Sequence, residues 1–415
     1  MGRVGGAMEF DIFTLSNGIR IIHKQTSGEV SHCGIIINAG SRDEQENEQG
    51  IAHLIEHVLF KGTKKRKAYH VLSRIDAVGG ELNAYTTKEE TCVYASFQNV
   101  YYERAVELLS DICFHSVFPE KEIDKEKEVI TDEINSYQDN PSEQIFDDFE
   151  EHLFPHHSLG RNILGNVNSL RKLKRKDIIK FIKRNYHPDQ IVFSSIGNIA
   201  LSEVKKIIEK YFQHLPHSKS KNQRTPIKNY KPFQREVKRD TYQSHCIIGN
   251  IAYGAKNKNR TAMVLLNNLL GGPGMNSRLN LSIREKFGFT YNLESNYISY
   301  SDTGVFVIYL GTDNGYMAKC MDLVYKELNK LKNKKLSAHQ LQSAKRQLIG
   351  NISLAQESKI SLMLAVGRSL LTFNKIDSLQ QLYKKIEAIT PEKILEIANE
   401  VFDDKQLSKL IYLSK

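Results

Sequence analysis

The fold of this chain is decided by the stretch Gly50-Ile51-Ala52-His53-Leu54-Ile55-Glu56-His57-Val58-Leu59-Phe60. Its aliphatic side chains recur with helical spacing and form one stripe. A helix turns by about 100° per residue, so His53, Glu56 and His57 project together from another face. The stretch therefore predicts a helix that buries one face in a core and carries two imidazoles and a carboxylate on the other.

The polar face of this helix, with the pattern HxxEH, provides half of a zinc site with a candidate base beside it. Hydrolytic zinc usually takes three protein ligands, and histidine nitrogens and carboxylate oxygens are suitable donors. The acidic segment beginning near residue 120 offers Glu126 and Glu133, which are seven residues apart and so within about 20° of one helix face. Glu122 and Glu128 lie in the same segment, so spacing alone does not choose the third ligand. A solvated helix face is the alternative interpretation of the five-residue motif.

Length and composition indicate a soluble globular protein of at least two domains. The chain has 415 residues, 40% hydrophobic and 26% charged, and domains usually contain about 100–200 residues. No apolar run is long enough to span a bilayer, and no secretory signal is evident, so no membrane partner is expected. Residues 1–7 are predicted to be an expression-tag remnant or a disordered leader. The five cysteines form no CxxC pair, which favours reduced thiols and a cytoplasmic location.

The net charge of +10 is unevenly distributed along the chain. Residues 120–151 contain thirteen acidic residues against three lysines, a local balance of −10, which leaves +20 on the remainder. The basic clusters at residues 171–176 and 217–239 are interpreted as solvated surface. There is no zinc-finger spacing or RNP-like aromatic motif. We therefore expect no nucleic-acid partner, and a basic nucleic-acid-binding protein is the weaker alternative.

The order of predicted elements repeats, which indicates an α+β protein of two homologous domains. Each is predicted to be an antiparallel-rich sheet covered by helices on one side. In the first half, Asn17-Gly18 is predicted to be a hairpin turn, residues 81–98 a strand and residues 120–154 a helical segment. The predicted boundaries are residues 8–214 for the N-terminal domain, 215–233 for a polar linker and 234–415 for the C-terminal domain. The second half has Met263-Val264-Leu265-Leu266 in the helix that corresponds to the HxxEH helix, so only the first half is expected to bind the metal in this way.

Further stretches of sequence accompany the motif, and they are Gly40-Ser41-Arg42-Asp43-Glu44, Phe60-Lys61-Gly62-Thr63, Gly79-Gly80-Glu81-Leu82-Asn83-Ala84, Glu126-Lys127-Glu128-Val129-Ile130-Thr131-Asp132-Glu133-Ile134 and Ile283-Arg284-Glu285-Lys286-Phe287-Gly288-Phe289-Thr290-Tyr291. With the inverted HxxEH motif, they resemble the insulinase or pitrilysin family of zinc peptidases. The resemblance covers nearly all of residues 8–415. The chain length is similar to that of the short branch that includes the mitochondrial processing peptidase.

This resemblance implies one zinc ion per chain, with His53, His57 and Glu133 as its ligands. Glu56 becomes the general base, and Glu126 becomes an acid outside the first coordination shell that orients a ligand. These roles agree with the chemistry of zinc hydrolases, in which the metal acidifies water and a carboxylate accepts its proton.

The resemblance also implies where a peptide binds. Arg284 and Tyr291, from the second half, match residues that reach towards the substrate near the scissile bond. An exposed sheet edge would receive the substrate as an added strand, and the residues of this edge are Asn83, Ala84, Tyr85 and Thr86. Phe60 is expected to line an apolar side-chain pocket or to belong to the core.

The sequence thus predicts a zinc-dependent endopeptidase that hydrolyses unfolded peptides inside a chamber. In the short branch two chains form the chamber, so a homodimer is expected. A non-catalytic assembly or scaffold subunit of the same family is the principal alternative.

Overall fold

The computed structural model describes residues 10–221 and 223–414. The segment 1–7, predicted to be a tag remnant or leader, lies outside the described residues. The strands are β1 Asp11–Thr14, β2 Arg20–Gln25, β3 Val30–Ile37, β4 Glu81–Thr86, β5 Thr91–Gln98, β6 Ile191–Gly197, β7 Gln234–Arg239, β8 Ser244–Ala252, β9 Thr290–Ser299, β10 Gly304–Thr312 and β11 Ser408–Ser414.

Helices occupy most of the chain between the strands. They are α1 Ile51–Leu59, α2 Ala68–Asp76, α3 Tyr102–His115, α4 Glu120–Gln138, α5 Pro141–Leu153, α6 Val167–Lys172, α7 Arg175–Asn185, α8 Leu201–Phe212, α9 Arg260–Gly271, α10 Met317–Asn333, α11 Ala338–Ala355, α12 Lys359–Phe373, α13 Leu379–Glu387 and α14 Pro391–Val401. A short π-helix spans Asn280–Glu285. None of the described helices combines the length and the hydropathy that a bilayer crossing requires.

Two sheets with corresponding topology confirm the α+β prediction. The first has the strand order β1-β2-β6-β3-β5-β4, and the second has the order β7-β11-β8-β10-β9. In each sheet one pair is parallel, β2 with β6 and β7 with β11, and the other pairs are antiparallel. The second sheet therefore repeats the first, with β1 as the additional strand.

Local sequence explains several element boundaries. The predicted Asn17-Gly18 turn joins β1 to β2, and Gly18 has φ +104°, which glycine adopts without strain. The helical pattern predicted over residues 120–154 is divided into α4 and α5 at Asn140-Pro141, because proline disfavours helical backbone in the residue before it. The strand predicted over residues 81–98 is a hairpin of β4 and β5.

Helices cover both faces of each sheet, so the prediction of helices on one side only was wrong. In the first sheet, α12 packs on β3 and β6 through a second apolar cluster that includes Met363 and Val366. In the second sheet, α5 packs on β8 and β11 through a cluster that includes Phe149. The sequence contained part of the signal, because β6 begins with the unbroken apolar run Ile191-Val192-Phe193, and a strand covered on both faces lacks alternation.

The chain forms two compact units, and each is assembled from separate segments. The first contains the described residues up to Asn135, with Arg161–Arg224 and Leu354–Ser378. The second contains Ser136–Gly160, Thr225–Ser353 and the described residues from Leu379 onwards. Helix α5 therefore belongs with the second sheet and α12 with the first, although the predicted linker at residues 215–233 would assign each to the other half. Periodicity identifies an apolar helix face, but it does not identify the sheet that covers it.

Gly367 allows α12 to approach the first sheet closely. A Cβ atom there would lie 2.4 Å from Ile36 Cδ1 and 2.9 Å from Ser194 Cβ. We expect Gly367→Ala to lower the free energy of unfolding by about 1–3 kcal/mol through overpacking. Gly350, in α11, has no heavy atom within 4 Å of a Cβ atom, so Gly350→Ala should raise it by about 0.5–1 kcal/mol. Urea unfolding of both variants measures the difference, and equal effects would contradict it.

Candidate active site

Helix α1 begins at a glycine that the tertiary structure requires. Gly50 has φ +87°, and a Cβ atom on it would lie 2.6 Å from Leu164 O. The buried Glu44 carboxylate accepts hydrogen bonds from the amides of Gly50 and Ala52 at 3.1 and 3.0 Å. These bonds satisfy amides that have no partner within the helix. The start of α1, and with it the direction of its polar face, is therefore fixed from outside the helix.

Three side chains converge beside α1 within the first unit. His53 Nε2 lies 3.9 Å from Glu133 Oε2, and His57 Nε2 lies 3.8 Å from the same oxygen. The two imidazole rings are 4.6 Å apart at their centroids and nearly perpendicular. In residues 10–221 and 223–414 this is the one group of three or more histidine, cysteine or acidic side chains with suitable atoms within 4.8 Å of one another.

The donor set and its spacing fit a zinc ion. Two histidine nitrogens and one carboxylate oxygen are zinc donors, and tetrahedral coordination with bonds of about 2.0–2.1 Å separates neighbouring donor atoms by about 3.3 Å. The observed separations of 3.8 and 3.9 Å are close to this value and too long for hydrogen bonds. Burial, and then the neighbouring His57, lower the pKa of His53 to about 4. His53 is therefore neutral near pH 7, as a metal ligand must be.

The other ring nitrogen of His57, Nδ1, contacts the side chain of Glu126. This nitrogen lies 3.0 Å from Glu126 Oε2, and Lys61 Nζ lies 2.6 Å from Glu126 Oε1. Burial alone would raise the pKa of Glu126, but hydrogen bonds from Lys61 and His57 outweigh it and the pKa lies below its usual value. The ionised carboxylate can only accept, so Nδ1 is the donor in this bond, and Nε2 is the ring nitrogen that faces Glu133.

Glu56 projects from the same face of α1, and one of its carboxylate oxygens has no partner in the described part of the chain. Its Oε2 is buried and has no hydrogen-bond partner among the described residues, and the same holds for the hydroxyl of Thr86. Burial raises the pKa of Glu56, and the nearby Thr86 and His57 oppose this shift. A buried carboxylate with a raised pKa and a free oxygen is suited to accept a proton.

Strand β4 forms an edge of the first sheet beside this helix. It pairs with β5 alone among the described strands, and it contains Asn83, Ala84, Tyr85 and Thr86. The Tyr85 hydroxyl donates to Glu90 Oε1 at 2.8 Å, and the Arg368 guanidinium lies 5.8 Å from the Tyr85 ring centroid. The edge therefore has unpaired backbone groups, and Tyr85 is held at its side chain by residues of the first unit.

The remaining predicted site residues are Phe60 in the first unit and Arg284 and Tyr291 in the second. Phe60, the residue after α1, is partly buried and packs against the core of the first unit. Arg284 is in the π-helix of the second unit, with Nε 3.9 Å from Glu285 Oε1. Tyr291 is in β9 and is 76% exposed. An exposed tyrosine of this kind is available to a ligand, but the geometry within the second unit alone assigns it none.

Helix α1 presents two histidines and a glutamate, and α4 adds a second glutamate beside them. Such side chains are the metal ligands and the base of a zinc hydrolase. Comparison with known proteins agrees. Residues 20–167 match the family model described as insulinase (peptidase family M16), and residues 172–348 match that of the peptidase M16 inactive domain. The chain belongs to the M16 (insulinase) family of zinc peptidases.

Relatives of similar length support this assignment. A Bacillus subtilis protein named uncharacterized zinc protease YmxG is 31% identical over 401 residues, which are 96% of this chain and 97% of that protein. A zinc protease of Rickettsia felis, also named uncharacterized, is 32% identical over 406 residues, 97% of each chain. The solved structure of a protease from Helicobacter pylori has the same fold, with a TM-score of 0.89, 22% identity and coverage of 98% of this chain and 100% of that one.

Two contacts of the site were missing from the sequence interpretation. Lys61 lies within a stretch quoted for the family resemblance but received no role, and its contact with Glu126 joins residues far apart in the chain. Thr86 was predicted only as part of a sheet edge, whereas it also faces Glu56. Lys61 follows His57 by one helical turn, so its spacing could have placed it near the motif.

The pKa of His53 predicts how metal-free protein responds to acid. Because the pKa of His53 is about 4 in the folded protein and 6.5 for an unperturbed histidine, the unfolded chain binds the proton more readily, and stability falls as pH drops from 6.5 towards 4. His53→Gln should remove the part of this loss in the free energy of unfolding that His53 causes, which is at most about 3 kcal/mol. Unfolding at pH 7 and pH 4.5 tests this. His70→Gln, at an exposed position in α2, is the control and should behave as the wild type; a His53→Gln variant that also does so would refute the assignment.

Proposed function

We propose that this protein is a zinc-dependent endopeptidase that hydrolyses unfolded peptides. The observation that carries the proposal is the convergence of His53, His57 and Glu133 around one point, with the unpaired Oε2 of Glu56 on the same helix face. In this proposal the first three hold one zinc ion per chain. The zinc-protease names of the relatives, over nearly their full length, support it.

The chain's own residues would perform the proton transfers. Zinc supplies Lewis-acid activation of a water molecule and a peptide carbonyl. Glu56 accepts the proton of the attacking water, and the raised pKa favours its transfer to the leaving amine. Glu126 keeps the proton of His57 on Nδ1. Thr86, close to Glu56, is placed to hold the carboxylate in position.

The substrate would bind by adding a strand to β4. Its edge offers backbone groups at Asn83, Ala84, Tyr85 and Thr86, and pairing through backbone groups accepts varied sequences. Arg284 and Tyr291 of the second unit are proposed to contact the peptide near the scissile bond, and Phe60 to line a side-chain pocket. The exposure of Tyr291 is consistent with this role.

Assembly and location are also part of the proposal. We propose a homodimer whose two chains enclose the peptide, and light scattering of the purified protein measures this directly. A cytoplasmic location agrees with the five cysteines, all of them buried free thiols, since such thiols persist in reducing compartments.

Glu56→Gln tests the base. The variant should retain zinc at about one ion per chain and lose hydrolysis of a quenched peptide library by about 100-fold or more, because glutamine cannot accept the proton. Glu128, an exposed residue in α4, provides the matched control, and Glu128→Gln should leave turnover unchanged. Full activity in Glu56→Gln would exclude the proposed mechanism.

Glu133→Gln tests the third ligand. Loss of the charged donor should weaken zinc binding by more than the roughly 10–100-fold typical of outer-shell partners, and activity should return partly at high zinc concentration. Metal analysis after dialysis gives the stoichiometry. Wild-type protein that binds zinc yet cleaves no peptide would favour the non-catalytic scaffold subunit, whereas wild type without zinc affinity would refute the proposal altogether.

A further inference from the structure

Lys61 occupies the turn that follows α1, and the backbone there is firmly held. The Lys61 amide donates to Val58 O at 3.1 Å, and Gly62 next to it has φ +130°. The amide of Thr63 donates to Arg66 O at 2.8 Å. Because these contacts fix the backbone on either side, the Lys61 side chain emerges in a set direction, towards α4.

We infer that Lys61 is a positioning residue for the metal centre, acting through Glu126 on the ring of His57. The inference rests on the zinc site of the proposed function. Lys61 Nζ and His57 Nδ1 engage different oxygens of one carboxylate, at 2.6 and 3.0 Å. With both oxygens engaged, the carboxylate cannot rotate without losing a bond, so the orientation of the imidazole ring is fixed as well.

Lys61, Glu126 and His57 form a row in which the two ends donate hydrogen bonds and the carboxylate between them accepts both. A lysine ammonium can only donate, and an ionised carboxylate can only accept. Glu126 then accepts from Nδ1–H of His57, and Nε2 is the ring nitrogen that is directed at Glu133 Oε2. Without Lys61, Glu126 Oε1 would lose this partner and could turn towards water, and the ring of His57 would no longer be held in one orientation.

The ion pair between Lys61 and Glu126 is partly buried, so its loss should affect the site. The Glu126 side chain is only 9% exposed, and a buried carboxylate that loses its cation is destabilised or changes its protonation state. The positive charge of Lys61 also repels a cation at the site. Positioning and repulsion have opposite effects on zinc affinity, so the sign of the change on removing Lys61 distinguishes them.

Zinc affinity of the full chain, measured by competition with a chromophoric chelator, tests the inference without any substrate. We expect Lys61→Met to weaken zinc binding by about 10-fold or more, the range for outer-shell partners. Lys61→Arg, which keeps the charge and donors, should remain within about 3-fold of wild type, since its fork can bond the same carboxylate. Lys65→Met, at an exposed lysine of the same segment, should bind zinc as the wild type does.

A double-mutant cycle with Glu126→Gln identifies the route of the effect. If Lys61 acts through Glu126, the double variant should bind zinc no more weakly than Glu126→Gln alone. Additive losses, or unchanged or tighter zinc binding by Lys61→Met, would overturn the inference. Thermal unfolding of the metal-free variants separates misfolding from a local effect, and Lys61→Gln serves if Lys61→Met does not fold. Failure of the wild type to bind zinc would refute the proposed function, and this inference with it.

Discussion

The candidate site depends on the fixed position and orientation of α1 in the core of the first unit. Its aliphatic face is fully buried in the core of the first unit, and the Glu44 carboxylate holds its first amides. Rotation about the helix axis would expose that face, at a cost of about 1.5–3 kcal/mol for each large side chain. The polar face therefore has one orientation only, which places His53, Glu56 and His57 beside the side chains from α4.

Around this helix the site is ordered in successive layers. The imidazoles and Glu133 form the innermost group, with Glu56 next to them. Glu126 lies behind His57, and Lys61 lies behind Glu126. Lys61 restricts the rotation of the Glu126 carboxylate, and Glu126 restricts the rotation of the His57 ring. Such outer contacts are usual around histidines that bind a metal. The second unit repeats the sheet, and its corresponding helix has apolar side chains where the first has the polar triad.

Much of this arrangement could be predicted from local sequence. The helical spacing of residues 51–59 predicted both faces of α1, and Asn17-Gly18 predicted a hairpin that the structure contains. Other features depend on contacts between distant segments. The covering of both sheet faces was missed because an apolar strand does not reveal which helices pack on it. Lys61 was given no role because its partner is 65 positions away in sequence.

Sequence by itself determined the chemistry available to this protein: two histidines and a glutamate on one helix face, acidic residues with matching spacing on a second helix, and a second half without them. Spacing alone left Glu122, Glu126, Glu128 and Glu133 open as the third ligand, and the resemblance to the family implied Glu133. The tertiary structure brings Glu133 beside both histidines. It also decided that α5 belongs to the second unit and α12 to the first. The physical reason is that periodicity fixes which face of an element is buried, whereas the surface that buries it is selected by packing over the whole chain.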